Sequence, residues 1–220
     1  MEAKIEGAPS FAHIHVDLAP GESLVAESDA MASMAADLDM EAKLNGGFFS
    51  GLAKKFLGGE SLFINVFTNN ASETRRLTLT QGTPGDVRRM ELTGGSVCLQ
   101  PGAYIASTPG LSLGVKWAGL ASGIGREGFF KLEVSGTGCL WYGAYGALVD
   151  QRIEGEYIVD TGHLVAYEPH LKLKVQLAGG LVGSFLGGEG LVTRLEGHGK
   201  AVLQTRSLSG LAGWINPKLW

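Results

Sequence analysis

Apolar and polar residues alternate in several short stretches of the chain, and glycine-rich segments separate these stretches. Residues 14–18, 75–80 and 171–177 carry apolar side chains at every second position. This period is typical of a β-strand that buries one face and exposes the other to water. Residues 62–67 are apolar on both faces, as in a central strand. The pattern predicts an all-β fold made of many short antiparallel strands.

Residues 31–44 carry a mixed signal. Their content of Ala, Met, Glu and Leu favours a helix. However, apolar residues alternate with polar or small ones over residues 34–44. The matching segment of a later repeat, residues 171–177, has an unambiguous strand pattern. We therefore predict a strand over residues 31–44 as well.

One heptapeptide occurs twice. Phe-Leu-Gly-Gly-Glu-Ser-Leu at residues 56–62 returns at residues 185–191 with six of seven positions identical, and a weaker copy lies at residues 125–129. The repetition predicts an internally triplicated chain, with units at about residues 1–85, 86–148 and 149–210. Each unit has a glycine turn, a strand, an apolar glycine-rich loop, an acidic residue and a further strand. The turn glycines are Gly21, Gly102 and Gly155, and the acidic residues are Glu60, Glu127 and Glu189.

Units of this size bury too little apolar surface to be stable alone, so we expect them to pack around a common axis. The prediction is a single globular β domain over residues 1–210, of the double-stranded β-helix or sandwich type, with pseudo-threefold symmetry. An aromatic tail over residues 211–220 follows it. Gly-x-Gly sequences at residues 136–138 and 197–199 lie between predicted strands, and we interpret them as hairpin turns.

The amino-acid composition limits the classes of function that the chain is expected to have. Glycine accounts for 34 of 220 residues, which fits many turns between short strands. The net charge of −4 disfavours nucleic-acid binding, which needs a basic surface. Cys98 and Cys139 have no metal-like spacing, and we expect buried free thiols in a reducing compartment. The first residues do not read as a signal peptide, and no apolar run reaches the ~18 residues of a membrane span. We expect a cytoplasmic protein.

Five blocks of the sequence resemble a known family. They are residues 20–23, 52–63, 83–86, 159–166 and 197–205, and they span nearly the whole chain in the family's order. The chain resembles the bacterial relatives of the mitochondrial-biogenesis "altered inheritance of mitochondria" family, member twenty-four. One departure is His198, where a proline between the two glycines is common.

The resemblance implies a β fold similar to that of the tryptophan RNA-binding attenuation protein, repeated within one chain. No enzymatic activity and no catalytic residue can be carried over from the resemblance, because none is established for the family. The eukaryotic members are associated with the mitochondrial inner membrane, so a position at the periphery of the inner membrane is an expectation for this chain too.

The residues themselves predict no catalytic, cofactor or metal site. No nucleophile, phosphate-loop or dinucleotide motif is present in the sequence. His13 and His15 would face the same way on a strand and could share a metal, but the sequence offers no evident third ligand, so we favour a solvated strand face. Asp160 and His163 could form an acid–base pair, but they flank a glycine turn that accounts for them. We predict that the protein is not an enzyme.

Three apolar glycine-rich loops, predicted over residues 46–59, 117–125 and 179–188, are the strongest candidates for an interaction surface. Threefold packing would place them at one end of the molecule, where they would either form an exposed apolar patch or fold inward and cap the core. Two lysines in the first loop would attract acidic lipid head groups. The candidate residues are Phe48, Phe49, Leu52, Lys54, Lys55, Phe56, Trp117, Leu120, Leu181 and Phe185.

Two functions remain open at this point. The first is a non-enzymatic scaffold or binding protein that forms a homo-oligomer and contacts a peripheral membrane surface or a protein partner through the loops. The alternative is a small-ligand or RNA-binding module, by analogy of fold alone. RNA binding would need a local basic patch, for which the candidates are Arg75, Arg76, Arg88 and Arg89.

Overall fold

The computed structural model describes residues 1–44, 63–100, 102–120, 128–177 and 191–218, which form fifteen β-strands and one short α-helix. The all-β prediction is confirmed. In chain order the first seven strands are β1 Glu2–Glu6, β2 His13–Leu18, β3 Ser23–Glu27, β4 Met31–Met34, β5 Asp39–Leu44, β6 Phe63–Thr68 and β7 Arg75–Leu79. The others are β8 Val87–Leu99, β9 Tyr104–Ser107, β10 Leu111–Leu120, β11 Gly128–Gly143, β12 Leu148–Asp160, β13 Leu164–Tyr167, β14 Lys172–Leu177 and β15 Leu191–Gln204.

Four strands form a separate sheet in the order β1-β2-β7-β4. Every pairing in it is antiparallel. On β2 the side chains of Ile14, Val16 and Leu18 are buried, whereas His13, His15 and Asp17 are only half-buried. This alternation confirms the prediction from residues 14–18, and it divides the sheet into an apolar inner face and a polar outer face.

The other eleven strands form one large antiparallel sheet in the order β12-β15-β13-β8-β11-β9-β3-β6-β5, with β10 on β11 and β14 on β15. In its middle part, β11 pairs with β8, β9 and β10. The following part has the same arrangement, because β15 pairs with β12, β13 and β14. Neighbouring parts are joined by the short pairings β3–β9 and β8–β13.

Three predicted turns are wrong. Residues 136–138 lie inside β11, residues 197–199 inside β15, and Gly155 inside β12, where it pairs with Gly197. Glycine serves a different purpose in β11, since Gly136 (φ 121°) and Gly138 (φ 153°) let the strand bend without ending. The pairing with β8 shifts register between Ser135 and Thr137, as at a β-bulge.

Residues 31–44 are extended, as predicted, but they form two strands rather than one. β4 and β5 are separated by a turn in which the Leu38 N–H donates to the Ala35 carbonyl at 3.1 Å. Leu38 is buried and packs into the core. The apolar pattern continues across the turn, which is why the sequence alone does not indicate the break.

The buried residues fall into three clusters. The first lies under the four-stranded sheet and includes Ile14, Leu77 and Phe67. It also contains Trp141 of β11, which is 2% exposed. The second and third clusters lie along β8–β11 and β12–β15. Trp141 therefore links the core of the first part of the chain to the second.

The C-terminal helix, α1 (Leu208–Ile215), begins inside the predicted third unit rather than in the tail. Ser207 caps it, since the Ser207 Oγ accepts from the Gly210 N–H at 3.1 Å. Trp214 is 63% exposed, and the Lys218 ammonium lies over its ring at 4.2 Å.

Candidate functional site

The predicted interaction residues fall mostly outside the described residues. This holds for Phe48, Phe49, Leu52, Lys54, Lys55, Phe56, Leu181 and Phe185, and also for the acidic residues Glu60, Glu127 and Glu189. Trp117 and Leu120 were predicted to lie in the second loop, but this is wrong, because they lie in the last part of β10, where the backbone pairs with β11. The interaction surface therefore stays a prediction.

The described strands on either side of each predicted loop are paired with each other. β5 pairs with β6, β10 with β11 and β14 with β15. The last pairs before the loops are Leu44↔Phe63, Leu120↔Gly128 and Leu177↔Leu191. β10 also lies beside β14. Each predicted loop thus joins the ends of an antiparallel hairpin.

The four arginines of the RNA alternative already have partners within the protein. Arg75 donates to Asp37 Oδ2 at 2.6 Å, and Arg76 holds Asp17 through two bonds of 2.8 and 2.7 Å. These contacts raise the pKa of both guanidinium groups and lower the pKa of Asp17. Their charge is largely neutralised in place.

Arg88 and Arg89 also have hydrogen-bond partners within the protein. Arg88 donates to Asp150 Oδ1 at 2.6 Å and to the Leu148 carbonyl at 2.7 Å, and Arg89 donates to the Cys139 Sγ at 2.9 Å. Three of the four arginines therefore face a carboxylate. Binding phosphate would require breaking these ion pairs, which weakens the argument for RNA.

Cys98 and Cys139 are free thiols, in agreement with the prediction. Cys98 is fully buried, and burial raises the pKa of its thiol. Cys139 is only half-buried, so the prediction of a buried thiol is wrong for this residue. A raised pKa leaves little thiolate, so Cys98 has the properties of a structural cysteine rather than a nucleophile.

Asp160 and His163 do not form an acid–base pair. Residues Thr161–His163 are a 3₁₀ turn, and the Asp160 Oδ1 caps it by accepting from the Gly162 N–H at 2.7 Å. The His163 Nδ1 lies 2.7 Å from the Gln204 carbonyl. A carbonyl can only accept, so this nitrogen carries a proton and donates it. The turn interpretation is confirmed.

The outer face of the four-stranded sheet brings together a group that the sequence did not reveal. β1 pairs with β2 so that Glu6 lies opposite His13, and Lys4 lies opposite His15. Glu6, His13 and His15 each offer one ligand atom, and these atoms lie within 4.8 Å of one another. We call these three residues the His₂Glu cluster. Two imidazoles and one carboxylate are typical ligands of divalent transition metals.

The geometry of the cluster is convergent but open. The Glu6 Oε2 lies 3.9 Å from the His13 Nε2 and 3.8 Å from the His15 Nε2. The two rings are edge to face, with centroids 4.8 Å apart. Both nitrogen–oxygen distances exceed the ~2.7–3.2 Å of a hydrogen bond. Three polar atoms therefore point at one region of space without bonding to each other.

Neighbouring groups hold both rings and the carboxylate. The His15 Nδ1 lies 3.0 Å from the Thr78 Oγ1 of β7, and the His13 Nδ1 lies 3.5 Å from the Phe11 carbonyl. The Lys4 ammonium binds the other carboxylate oxygen, Glu6 Oε1, at 2.6 Å and lowers the pKa of Glu6. Both Nε2 atoms and one ionised carboxylate oxygen are left facing each other.

Sequence reasoning missed Glu6 because residues 2–6 were not recognised as a strand. A signal was present, since Ala3 and Ile5 alternate with Glu2, Lys4 and Glu6. Residues 7–10 carry glycine, proline and serine, which are typical of a turn. A hairpin over residues 2–18 would have placed an acidic residue of the first strand beside the two histidines.

A family model described as Mitochondrial biogenesis AIM24 matches residues 3–206. The chain belongs to this family. An uncharacterized protein of Streptococcus pyogenes serotype M6 is 26% identical over 225 residues, covering 98% of this chain and 90% of the relative. A Streptococcus pyogenes protein solved by X-ray crystallography superposes with a TM-score of 0.79 at 23% sequence identity, covering 99% of each chain.

Membership of the AIM24 family confirms the resemblance that the five sequence blocks predicted. The protein solved by X-ray crystallography has the same fold as this chain. The serotype M6 relative carries no functional description. Of the helical segments in the described ranges, none is both long enough and apolar enough to cross a bilayer.

Proposed function

We propose that this AIM24-family chain is a non-enzymatic binding protein that self-associates and contacts a membrane surface or a protein partner through three hairpin ends. The observation that carries the proposal is the pairing of the strands that flank segments 45–62, 121–127 and 178–190. All three segments occupy the same place in the strand order, each between two paired strands.

Internal triplication is part of the proposal. It is supported by the matching arrangements of β8–β11 and β12–β15, in which three strands pair with one long final strand. It is also supported by the first part of the chain, where β6 and β7 together pair with β2, β3, β4 and β5. Three equivalent units around one axis would bring the three segments to one end, and the position of β10 beside β14 is consistent with that.

The composition of the segments supports a contact surface. Segment 45–62 alone contains Phe48, Phe49 and Phe56, together with Lys54 and Lys55. Apolar side chains next to lysines suit the interface of an anionic membrane, where both the acyl region and the head groups are within reach. A second copy of the chain would cover the same apolar surface. The proposal places the protein in the cytoplasm, at the periphery of the inner membrane.

The test compares wild type with a Phe48→Ser, Phe49→Ser, Phe56→Ser variant, by co-sedimentation with anionic vesicles and by light-scattering mass. A matched control carries Phe11→Ser, Ile158→Ser and Leu208→Ser. These three positions are 74%, 54% and 59% exposed and lie outside the hairpin ends. Both variants remove three apolar side chains, so only position distinguishes them. Circular dichroism verifies that each is folded.

The proposal expects wild type and the control to sediment with vesicles or to form a defined oligomer, while the segment variant loses that behaviour. Loss of vesicle binding identifies a membrane surface, and loss of the oligomer identifies a self-association surface. The proposal fails if wild type is a monomer that does not sediment with vesicles. It also fails if the two variants give the same co-sedimentation and the same mass.

A further inference from the structure

The His₂Glu cluster has a geometry that a solvated strand face does not require. A single histidine lies beside a carboxylate at a similar distance elsewhere on the surface, where the His170 Nε2 is 3.7 Å from the Glu168 Oε2, but the cluster brings two imidazoles to one oxygen. Here the Glu6 Oε2 keeps nearly equal distances of 3.9 and 3.8 Å to the two Nε2 atoms. We propose that Glu6, His13 and His15 form a binding site for one divalent transition-metal ion of the zinc class.

The ligand atoms lie within 4.8 Å of one another, so side-chain rotations have to bring them closer together around an ion of this size. Zinc bonds of about 2.0–2.2 Å to nitrogen and oxygen at tetrahedral angles separate neighbouring ligand atoms by about 3.4 Å. The two nitrogen–oxygen distances exceed this value by about half an ångström. β1 and β2 are paired from Glu2 to Glu6, so the backbone positions are fixed and the side chains alone make the adjustment.

The ring nitrogens that face the oxygen are the ones available for a metal. The Phe11 carbonyl can only accept, so its long contact of 3.5 Å with the His13 Nδ1 favours a proton on that nitrogen and a lone pair on the Nε2. The Thr78 hydroxyl at 3.0 Å can do the same for His15. Hydrogen bonds of this kind orient the histidine ligands of known metal sites.

The ligand types select the class of metal. Two imidazoles suit zinc, copper, nickel or iron, whereas calcium and magnesium prefer sites made of oxygen atoms. The site is also accessible, because the side chains of Glu6, His13 and His15 are 40%, 32% and 28% exposed. Three protein ligands on an open face leave at least one coordination position for water or for a group from another molecule.

The positive charge of Lys4 opposes metal binding, but the position of its ammonium group limits this effect. The Lys4 ammonium carries a positive charge on the same face, but it is bound to Glu6 Oε1 at 2.6 Å and its side chain is 75% exposed. The Oε2 atom points to the histidines. The lysine therefore occupies the oxygen that the site does not use, and solvent screens its charge.

The experiment titrates tag-free, chelator-treated protein with zinc by isothermal calorimetry at neutral pH, and with cobalt by visible absorption. Ligand variants are Glu6→Gln and His15→Ala. The matched control is His170→Ala, since His170 is also an exposed histidine beside a carboxylate, with its Nε2 3.7 Å from the Glu168 Oε2. A Thr78→Val variant tests the hydrogen bond to His15 without removing a ligand.

Wild type and His170→Ala should each bind one zinc ion per chain, and cobalt should give the absorption of a site with nitrogen and oxygen ligands. Loss of either ligand should weaken zinc binding at least about 100-fold, and Thr78→Val should weaken it about 10-fold, as for groups that orient a ligand. Circular dichroism separates loss of the site from loss of the fold. The proposal is overturned if folded wild type takes up no zinc, or if the folded ligand variants bind zinc as tightly as His170→Ala.

Discussion

The chain passes from one set of strands to another in two different ways. In the first part it stops, because β6 ends at Thr68, β7 begins at Arg75, and the two strands lie in different sheets. In the second part it continues, because β11 runs from Gly128 to Gly143 and pairs first with β10 and then with β9. In the first part, a buried asparagine side chain holds the break between the two strands. In the second part, glycine residues let β11 bend.

Asn69 holds the break in the first part. Its Nδ2 donates to the carbonyls of Leu18 and Glu73, each at 2.8 Å, and its Oδ1 accepts from the Ala71 N–H at 3.0 Å. Its backbone bonds to Gly21 and Glu22 in the turn between β2 and β3. The fully buried Asn69 therefore satisfies polar groups at two of the places where the first part changes sheet, between β2 and β3 and between β6 and β7.

Glycine makes the passage in the second part. An added Cβ at Gly138 would lie 2.1 Å from the Thr108 Oγ1, and at Gly136 it would lie 2.5 Å from the Gly110 carbonyl oxygen. Atoms of Thr108 and Gly110 in the same chain occupy the space that a side chain at these two glycines would need. A break between two sheets needs a polar side chain that satisfies the exposed backbone groups, whereas a strand that changes partner within one sheet needs only a bend that leaves the ladder paired.

The largest effect is expected where the two parts meet. Trp141 of β11 fills the cluster under the four-stranded sheet, so Trp141→Ala should lower the free energy of unfolding by about 3–5 kcal/mol. Denaturant unfolding followed by circular dichroism measures it. Trp214→Ala removes a 63% exposed ring and should change stability by less than about 0.5 kcal/mol. Equal stabilities of the two variants would mean that the parts do not share a core.

The alternating strands and the family could be predicted from the sequence because both depend on local pattern. The apolar residues at every second position of β2 and β14 determine which face of each strand is buried. Neighbouring strands only have to pair in a register that keeps their apolar side chains on the same face. The Gly-x-Gly sequences were misread because glycine is compatible with a turn and with a bend, and the choice depends on what lies opposite. For Gly138 that neighbour is Thr108, thirty residues earlier in the chain.

The His₂Glu cluster could be predicted only in part, for a related reason. Two histidines two residues apart on a strand are visible in the sequence, but the third ligand comes from the partner strand. Its position depends on the register of the β1–β2 hairpin, in which Glu6 faces His13. A register shifted by one residue would have placed Ile5 there instead, and no ligand set would exist.

The second largest effect should come from the break between β6 and β7. Asn69→Ala removes three side-chain hydrogen bonds at a fully buried position and leaves the Leu18 carbonyl without its donor, so we expect a loss of about 2–3 kcal/mol in the free energy of unfolding. Asn70→Ala, at the exposed neighbouring position, is the control and should be nearly neutral. A neutral Asn69→Ala would show that the break is held by the strands alone.

The smallest of the three effects concerns the bend in β11. Gly138→Ala combines a φ of 153° with a Cβ 2.1 Å from the Thr108 Oγ1, an atom that also accepts the Cys139 N–H at 3.0 Å. The alanine would have to displace the threonine and break that bond, at a cost of about 2 kcal/mol. Gly95→Ala in β8 is the matched control, because an added Cβ there meets nothing within 4 Å. If unfolding in denaturant gave the same stability for both variants, the bend would not depend on glycine, and the change of partner along β11 would then rest on strand pairing alone.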